Sequence, residues 1–225
     1  TISAKLIYEL SPEAVVAAAR RLGITSEMGP NLALALGATG VSPLEMACAF
    51  ATIANGGTRC QPFMLRSIQN EINEVLEETI PKSNRVTDAQ TAFLLLDMLT
   101  GVVEKGGTGS AVRSYGFHRP CAGKTGTSNE YRDAWFVGFT PELAVAVWVG
   151  FDDNRSMRDT SGRGITGSKA ALPIWALFMK NASAGQPVTN FAVPGRIIFS
   201  TLDPRTGSGH MPGGPSITVA LREDE

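Results

Sequence analysis

Only three cysteines, Cys48, Cys60 and Cys121, are spread over the 225 residues of this chain. Scattered thiols in that number build neither a disulfide framework nor a zinc site, and an odd count leaves at least one free. Cysteine usage therefore leaves the redox compartment undecided. Cys48 lies in an apolar helical run and reads as a small core residue. The two histidines, His118 and His210, are far apart and lack metal-ligand spacing. A net charge of −1 excludes nucleic-acid binding by bulk electrostatics. No apolar run approaches the ~20 residues that a membrane helix needs. The longest, Leu143 to Phe151, has the length of a strand. The opening, Thr1-Ile2-Ser3-Ala4-Lys5, has neither a signal-peptide pattern nor an initiator methionine and reads as a processed or excised piece.

A hydrophobic content of 43% and a charged content of 18% fit a soluble globular protein of one large or two small domains. The first half carries helix signals. Ser11-Pro12-Glu13 starts a helix that Gly23 stops. Ser42-Pro43-Leu44-Glu45 is a capping box, opening a helix through Met46, Phe50 and Ile53 to Asn55-Gly56-Gly57. Thr87-Asp88-Ala89-Gln90 starts a third, running to about Lys105 before Gly106-Gly107. Gln61 to Gln69 and Glu74 to Thr79 read as short strands around Asn70 to Asn73.

The period changes in the second half. Ala134 to Phe139 and Leu143 to Phe151 read as a hairpin about Thr140-Pro141-Glu142. Both faces of the second strand are apolar, which predicts cover on both sides. Asp152 to Gly167 is a polar, glycine-rich loop, and its Asp152, Asp153 and Asp159 read as solvated partners of Arg155 and Arg158. Ala170 to Asn181 returns to helix, with Ile174, Trp175, Leu177 and Phe178 as its packing side. Trp135 and Trp148 read as core. Glu77-Glu78 and Glu223-Asp224-Glu225 read as ordinary solvated charge. From Gly185 onward proline and glycine accumulate; Ile197 to Leu202 reads as a strand within a linker or loosely attached tail.

The chemistry concentrates in Gly123-Lys124-Thr125-Gly126-Thr127-Ser128-Asn129. On a strand, Lys124 and Gly126 share one face, and Thr125 and Thr127 the other. Lys124 supplies positive charge. Gly126 lets a substrate lie close to the backbone. The two hydroxyls can hold a carboxylate, and the Thr127 amide can meet a developing oxyanion. A phosphate-binding loop is excluded: its pattern needs glycine where His118 stands, and a strand, not a helix, follows.

Lys-Thr-Gly is one of three motifs of penicillin-binding proteins and serine β-lactamases. With Asn129, Asp133 and the run Ala-Trp-Phe-Val-Gly-Phe-Thr-Pro (134–141), the segment resembles the class A penicillin-binding proteins. Leu32-Ala33-Leu34-Ala35-Leu36-Gly37 with Val41 to Ala47 and Ala54 to Gly57 resembles the family's central helical segment. Gly106 to Ala111 resembles the stretch before its Lys-Thr-Gly strand, and Ser3-Ala4-Lys5-Leu6 the helix after its Ser-x-Asn motif. The resemblance runs from Thr1 to Asn181.

The resemblance implies an α+β fold, an antiparallel sheet covered by helices, incomplete at its N-terminal side. It implies residues 1–184 as the C-terminal portion of a transpeptidase domain, with 185–225 as an extension or linker. It implies a serine D,D-transpeptidase of peptidoglycan synthesis that also binds β-lactam antibiotics. Lys124 would be catalytic, and Thr125, Gly126 and Thr127 substrate-binding, with no metal and no cofactor. Ser-x-x-Lys and Ser-x-Asn do not occur in these 225 residues. They are expected upstream, so the chain alone is expected to be inactive. Its partners would be peptidoglycan stem peptides, β-lactams and the missing N-terminal part of the domain, with no nucleic acid. Its place would be the bacterial cell envelope, on the extracytoplasmic face of the inner membrane, anchored upstream. The alternative is a non-catalytic scaffold or interaction module that keeps the fold without the nucleophile.

Overall fold

A computed structural model of the chain describes residues 2–209 and 213–223. His210, Asp224 and Glu225 lie outside the described residues. Helix α1 spans Ile2–Leu10 and α2 spans Pro12–Leu22. The Ser11 hydroxyl accepts the Ala14 amide at 3.2 Å, and Gly23, at φ 104°, closes α2 by donating to the Ala19 and Arg20 carbonyls. The Leu-Ala-Leu-Ala-Leu run expected to be helical is a single 3₁₀ segment, Leu32–Leu36, between an Asn31 cap and Gly37. Helix α3, Pro43–Ala54, begins at the expected capping box. Helix α4, Ala89–Val103, begins where the Asp88 carboxylate accepts the Thr91 amide at 2.8 Å.

Two small ribbons lie between α3 and α4. Strand β1, Thr58–Cys60, pairs with β4, Ser83–Arg85; β2, Ser67–Gln69, pairs with β3, Val75–Glu78. The inner ribbon lies where the sequence indicates, but the expected strand over Gln61 to Gln69 forms only at Ser67–Gln69. The outer one carries no alternation in Thr-Arg-Cys or Ser-Asn-Arg and forms only because the inner hairpin brings its ends together.

The central sheet is antiparallel, in the order β5 (Ala122–Thr127), β6 (Asp133–Phe139), β7 (Ala144–Gly150). Lys124 pairs with Val137, Gly126 with Trp135, and Trp135 with Trp148. One face packs on α5, Ala171–Ala182, through Phe136, Trp175, Leu172 and Met179, with Val145, Val147 and Val149 at the margin. The other meets α3 and α4 through Ala122, Phe139, Ile53, Phe93 and Leu96. Strand β7 is thus covered on both sides, although as an edge strand it stays half-buried.

The packing side of α5 differs from expectation. Ala171, Leu172, Trp175, Ala176 and Met179 are buried, whereas Ile174, Leu177 and Phe178 are about half exposed. Trp175 decides the rotation. Its ring packs edge-on against Phe117 and Phe136, its indole N–H donates to the Gly138 carbonyl at 3.2 Å, and the small Ala171 and Ala176 beside it permit close approach. The tail supplies β8, Ile197–Leu202, and β9, Ile217–Arg222, as a hairpin docked on α4. The Ala220 amide donates to Asp97 at 2.9 Å, Arg222 pairs with Asp88, and Phe93 meets Phe199 edge-on.

Candidate active site

Strand β5 ends the sheet, so one of its edges faces no strand among the described residues. The Ser128 amide donates to the Asp133 carbonyl at 3.1 Å. In an antiparallel ladder the hydrogen-bonding direction alternates. Gly126, Lys124 and Ala122 therefore turn their amides and carbonyls toward β6, while Thr127, Thr125 and Gly123 turn theirs to the open edge. The Lys124 ammonium reaches the Thr125 carbonyl on that edge at 2.7 Å. A row of alternating donors and acceptors beside a positive charge can pair with an extended peptide and hold an anionic oxygen at the Thr127 amide.

The side chains divide as the strand period requires. Lys124 is exposed on the face shared with α3 and α4. Gly126, on the same face, lies over Trp135: a Cβ there would sit 3.0 Å from the Trp135 Cβ. Thr125 and Thr127 occupy the opposite face, and each hydroxyl has a partner. The Thr125 and Thr108 hydroxyl oxygens are 2.8 Å apart, and Thr127 Oγ1 accepts the Gly167 amide at 3.0 Å. All four predicted residues therefore lie on one strand at one edge. Thr108 and Gly167 escaped the sequence reading of roles, because they come from loops 17 and 40 residues away.

The remaining candidates are placed elsewhere. His118 is exposed. Trp135 and Trp148 are not core; their rings lie 6.5 Å apart, and the Trp148 indole N–H donates to Asp133 at 2.9 Å on a half-exposed face. Asp153 pairs with Arg155 and Asp159 with Arg163. All three cysteines are free. Burial pushes the Cys121 thiol up to about 11, and Cys48, half-buried, is also raised by desolvation. A cavity of ≈ 470 Å³ between α3, β1 and the β6–β7 turn contains none of the predicted site residues.

Residues 23–171 match the penicillin binding protein transpeptidase domain family. The chain belongs to that family. It is 36% identical over 205 residues to penicillin-binding protein 1A of Aquifex aeolicus, covering 91% of this chain, and 34% identical to penicillin-binding protein 2D of Bacillus subtilis, again over 91% of it. It spans only 27% and 29% of the lengths of those relatives. Among solved structures, penicillin-binding protein 1A of Haemophilus influenzae superposes with a TM-score of 0.85 at 28% identity, over 97% of this chain and 38% of that one. PonA1 of Mycobacterium tuberculosis, solved in complex with penicillin V, gives 0.74 at 27% identity over 85% and 55%. The antiparallel sheet between helices is the α+β arrangement expected from the sequence. Among the described residues no helix is long and apolar enough to cross a membrane.

Proposed function

We propose that this chain forms the carboxylate- and oxyanion-binding side of a peptidoglycan D,D-transpeptidase cleft that β-lactams also occupy. The observation that carries this reading is the open edge of β5, with the Thr127 amide turned outward beside Lys124. In the reaction, a serine hydroxyl attacks the penultimate D-Ala carbonyl of a stem peptide. The carbonyl oxygen becomes negative as the tetrahedral intermediate forms, and the Thr127 amide stabilises it. Thr125 and Thr127 hold the terminal carboxylate, Gly126 admits the substrate backbone, and the Lys124 charge acts on both the nucleophile and the carboxylate. The peptide C–N bond breaks and terminal D-Ala leaves with a proton on its amine. An amine of a neighbouring strand then takes the acyl group and frees the serine. The nucleophile and the Ser-x-Asn motif lie upstream of this chain in the same protein. We assign that protein to the cell envelope, anchored upstream on the extracytoplasmic side, with residues 1–184 in the transpeptidase domain and 185–225 as its extension.

The test is the second-order rate of acylation by a fluorescent penicillin, measured on the full-length protein. Lys124→Ala removes a charge-assisted hydrogen bond of about 1.5–3 kcal/mol, or roughly one to two decades in rate. Thr125→Val has a smaller effect, because Thr127 still contributes. If Lys124→Ala acylates at the parental rate while folded, the assignment fails and the scaffold reading replaces it.

A further inference from the structure

The turn after the Lys-Thr-Gly strand is locked to the 152–167 loop by a joint outside the strand itself. Glu130 and Tyr131 are adjacent non-glycine residues in left-handed backbone, with φ of 60° and 58°. Side chains ordinarily avoid that region, so surrounding structure must hold it. The Ser156 hydroxyl donates to the Glu130 carbonyl, and the Met157 amide donates to the Tyr131 carbonyl at 2.8 Å. Met157 is buried, and its own carbonyl accepts the Ile165 amide at 3.1 Å. The Tyr131 ring lies directly on Gly164, where a Cβ would fall 2.2 Å from ring atoms Cδ2 and Cε2.

Three residues further on, the loop reaches the sheet. A Cβ on Gly167 would fall 2.3 Å from the Trp135 carbonyl oxygen and 2.4 Å from that of Gly126. Only glycine lies this close, and this approach lets the Gly167 amide donate to Thr127 Oγ1 at 3.0 Å. A hydroxyl that accepts one hydrogen bond keeps its own proton to donate. Its donation is then available to an anionic acceptor rather than spent on the protein.

We propose that Tyr131 is a positioning residue for Thr127. Seated on Gly164, it holds the 156–167 loop so that the Gly167 amide orients the Thr127 hydroxyl with its proton toward the substrate carboxylate. The inference rests on the carboxylate-binding reading of Thr127.

The experiment compares acylation of the full-length protein by benzylpenicillin and by its methyl ester, which lacks the anionic group. Tyr131→Ala lowers the benzylpenicillin rate about tenfold, close to the loss of one hydrogen bond to a charged group, and leaves the ester rate within about twofold. Tyr131→Phe keeps the ring on Gly164 and both parental rates. Gly164→Ala displaces the ring and repeats the selective loss, and it carries the comparison with Tyr131→Leu if Tyr131→Ala does not fold. On a Thr127→Val background, Tyr131→Ala has no further acid-selective effect. Equal loss for acid and ester in a folded variant overturns the proposal, because it marks a structural role alone. An unchanged acid-to-ester ratio in Thr127→Val instead overturns the carboxylate reading itself, and the proposal with it.

Discussion

The hydroxyl oxygens of Thr108 and Thr125 lie 2.8 Å apart, joining the turn after α4 to the Lys-Thr-Gly strand β5. The turn folds tightly enough because Gly107 and Gly109 carry no side chains. A Cβ on Gly107 would fall 2.2 Å from the Val102 carbonyl oxygen, and the Gly109 amide donates to that same carbonyl at 2.8 Å. Thr108 thus reaches the Thr125 hydroxyl, as the Gly167 amide reaches that of Thr127 on the same face.

Thr108→Val keeps the shape of the side chain and removes the hydrogen bond. A neutral bond contributes about 0.5–1.5 kcal/mol, so acylation by benzylpenicillin falls roughly two- to twelvefold. Thr108→Ser retains the parental rate. A Thr108→Val protein with an unchanged second-order rate would show that the bond serves the fold and not the site.

Glu45 contributes an acid-sensitive part of the stability. Its carboxylate closes the α3 capping box on the Ser42 amide at 2.8 Å and also ties down Thr25 and Ser26, accepting the Ser26 hydroxyl at 2.6 Å and the Thr25 amide at 2.6 Å. The Ser26 hydroxyl, the Ser42 amide and the Thr25 hydroxyl, in that order, hold its pKa well below the ordinary value of 4.5. The folded state therefore binds fewer protons at this site than the unfolded chain. The resulting stability is fully present above about pH 4.5 and is lost as pH falls from there toward the depressed folded value. Glu45→Gln costs about 1 kcal/mol at pH 7 through the damaged cap, and the difference from the parent shrinks toward pH 3. Denaturant midpoints from pH 7 to pH 3 check this; a constant gap across the range would refute it.

Gly138 is a packing glycine near the end of β6, next to Phe139. An added Cβ would lie 2.8 Å from Trp175 Cζ2, 2.9 Å from Phe136 Cε1 and 3.0 Å from the Ala122 carbonyl oxygen. Trp175 is fully buried and bonded to Gly138, so it has little room to yield. Gly138→Ala is expected to destabilise by about 1–3 kcal/mol through overpacking. Thermal unfolding decides it, since an unchanged Tm would mean that α5 shifts freely over the sheet.

The helix starts were legible because they are local. Ser11 with Pro12, Ser42 with Glu45, and Asp88 each satisfy free amides within one turn, so neighbouring residues carry the whole signal. The β6–β7 hairpin was legible for the same reason, since its paired runs are only a turn apart. Lys124-Thr125-Gly126-Thr127 was readable as chemistry through its resemblance to the family's Lys-Thr-Gly motif, and the strand period then sorts its side chains into two faces.

What the sequence left open depends on distant packing. The rotation of α5 could not be read from a helix apolar nearly all round: Ile174, Leu177 and Phe178 are as hydrophobic as the residues that go inside. The fit of Trp175 against Phe117, Phe136 and Gly138 chose the buried side. The docking of β9 onto α4 rests on Asp97 and Asp88, more than 120 residues away from their partners. The same holds at the candidate site. By itself the sequence determined which strand bears the charge and the hydroxyls, because alternation is a property of any strand, whereas the open edge of that strand follows from the sheet order. Only the tertiary structure decided that Thr108 and Gly167 meet those hydroxyls and that Tyr131 rests on Gly164, because such contacts exist only once loops far apart along the chain have closed onto one sheet.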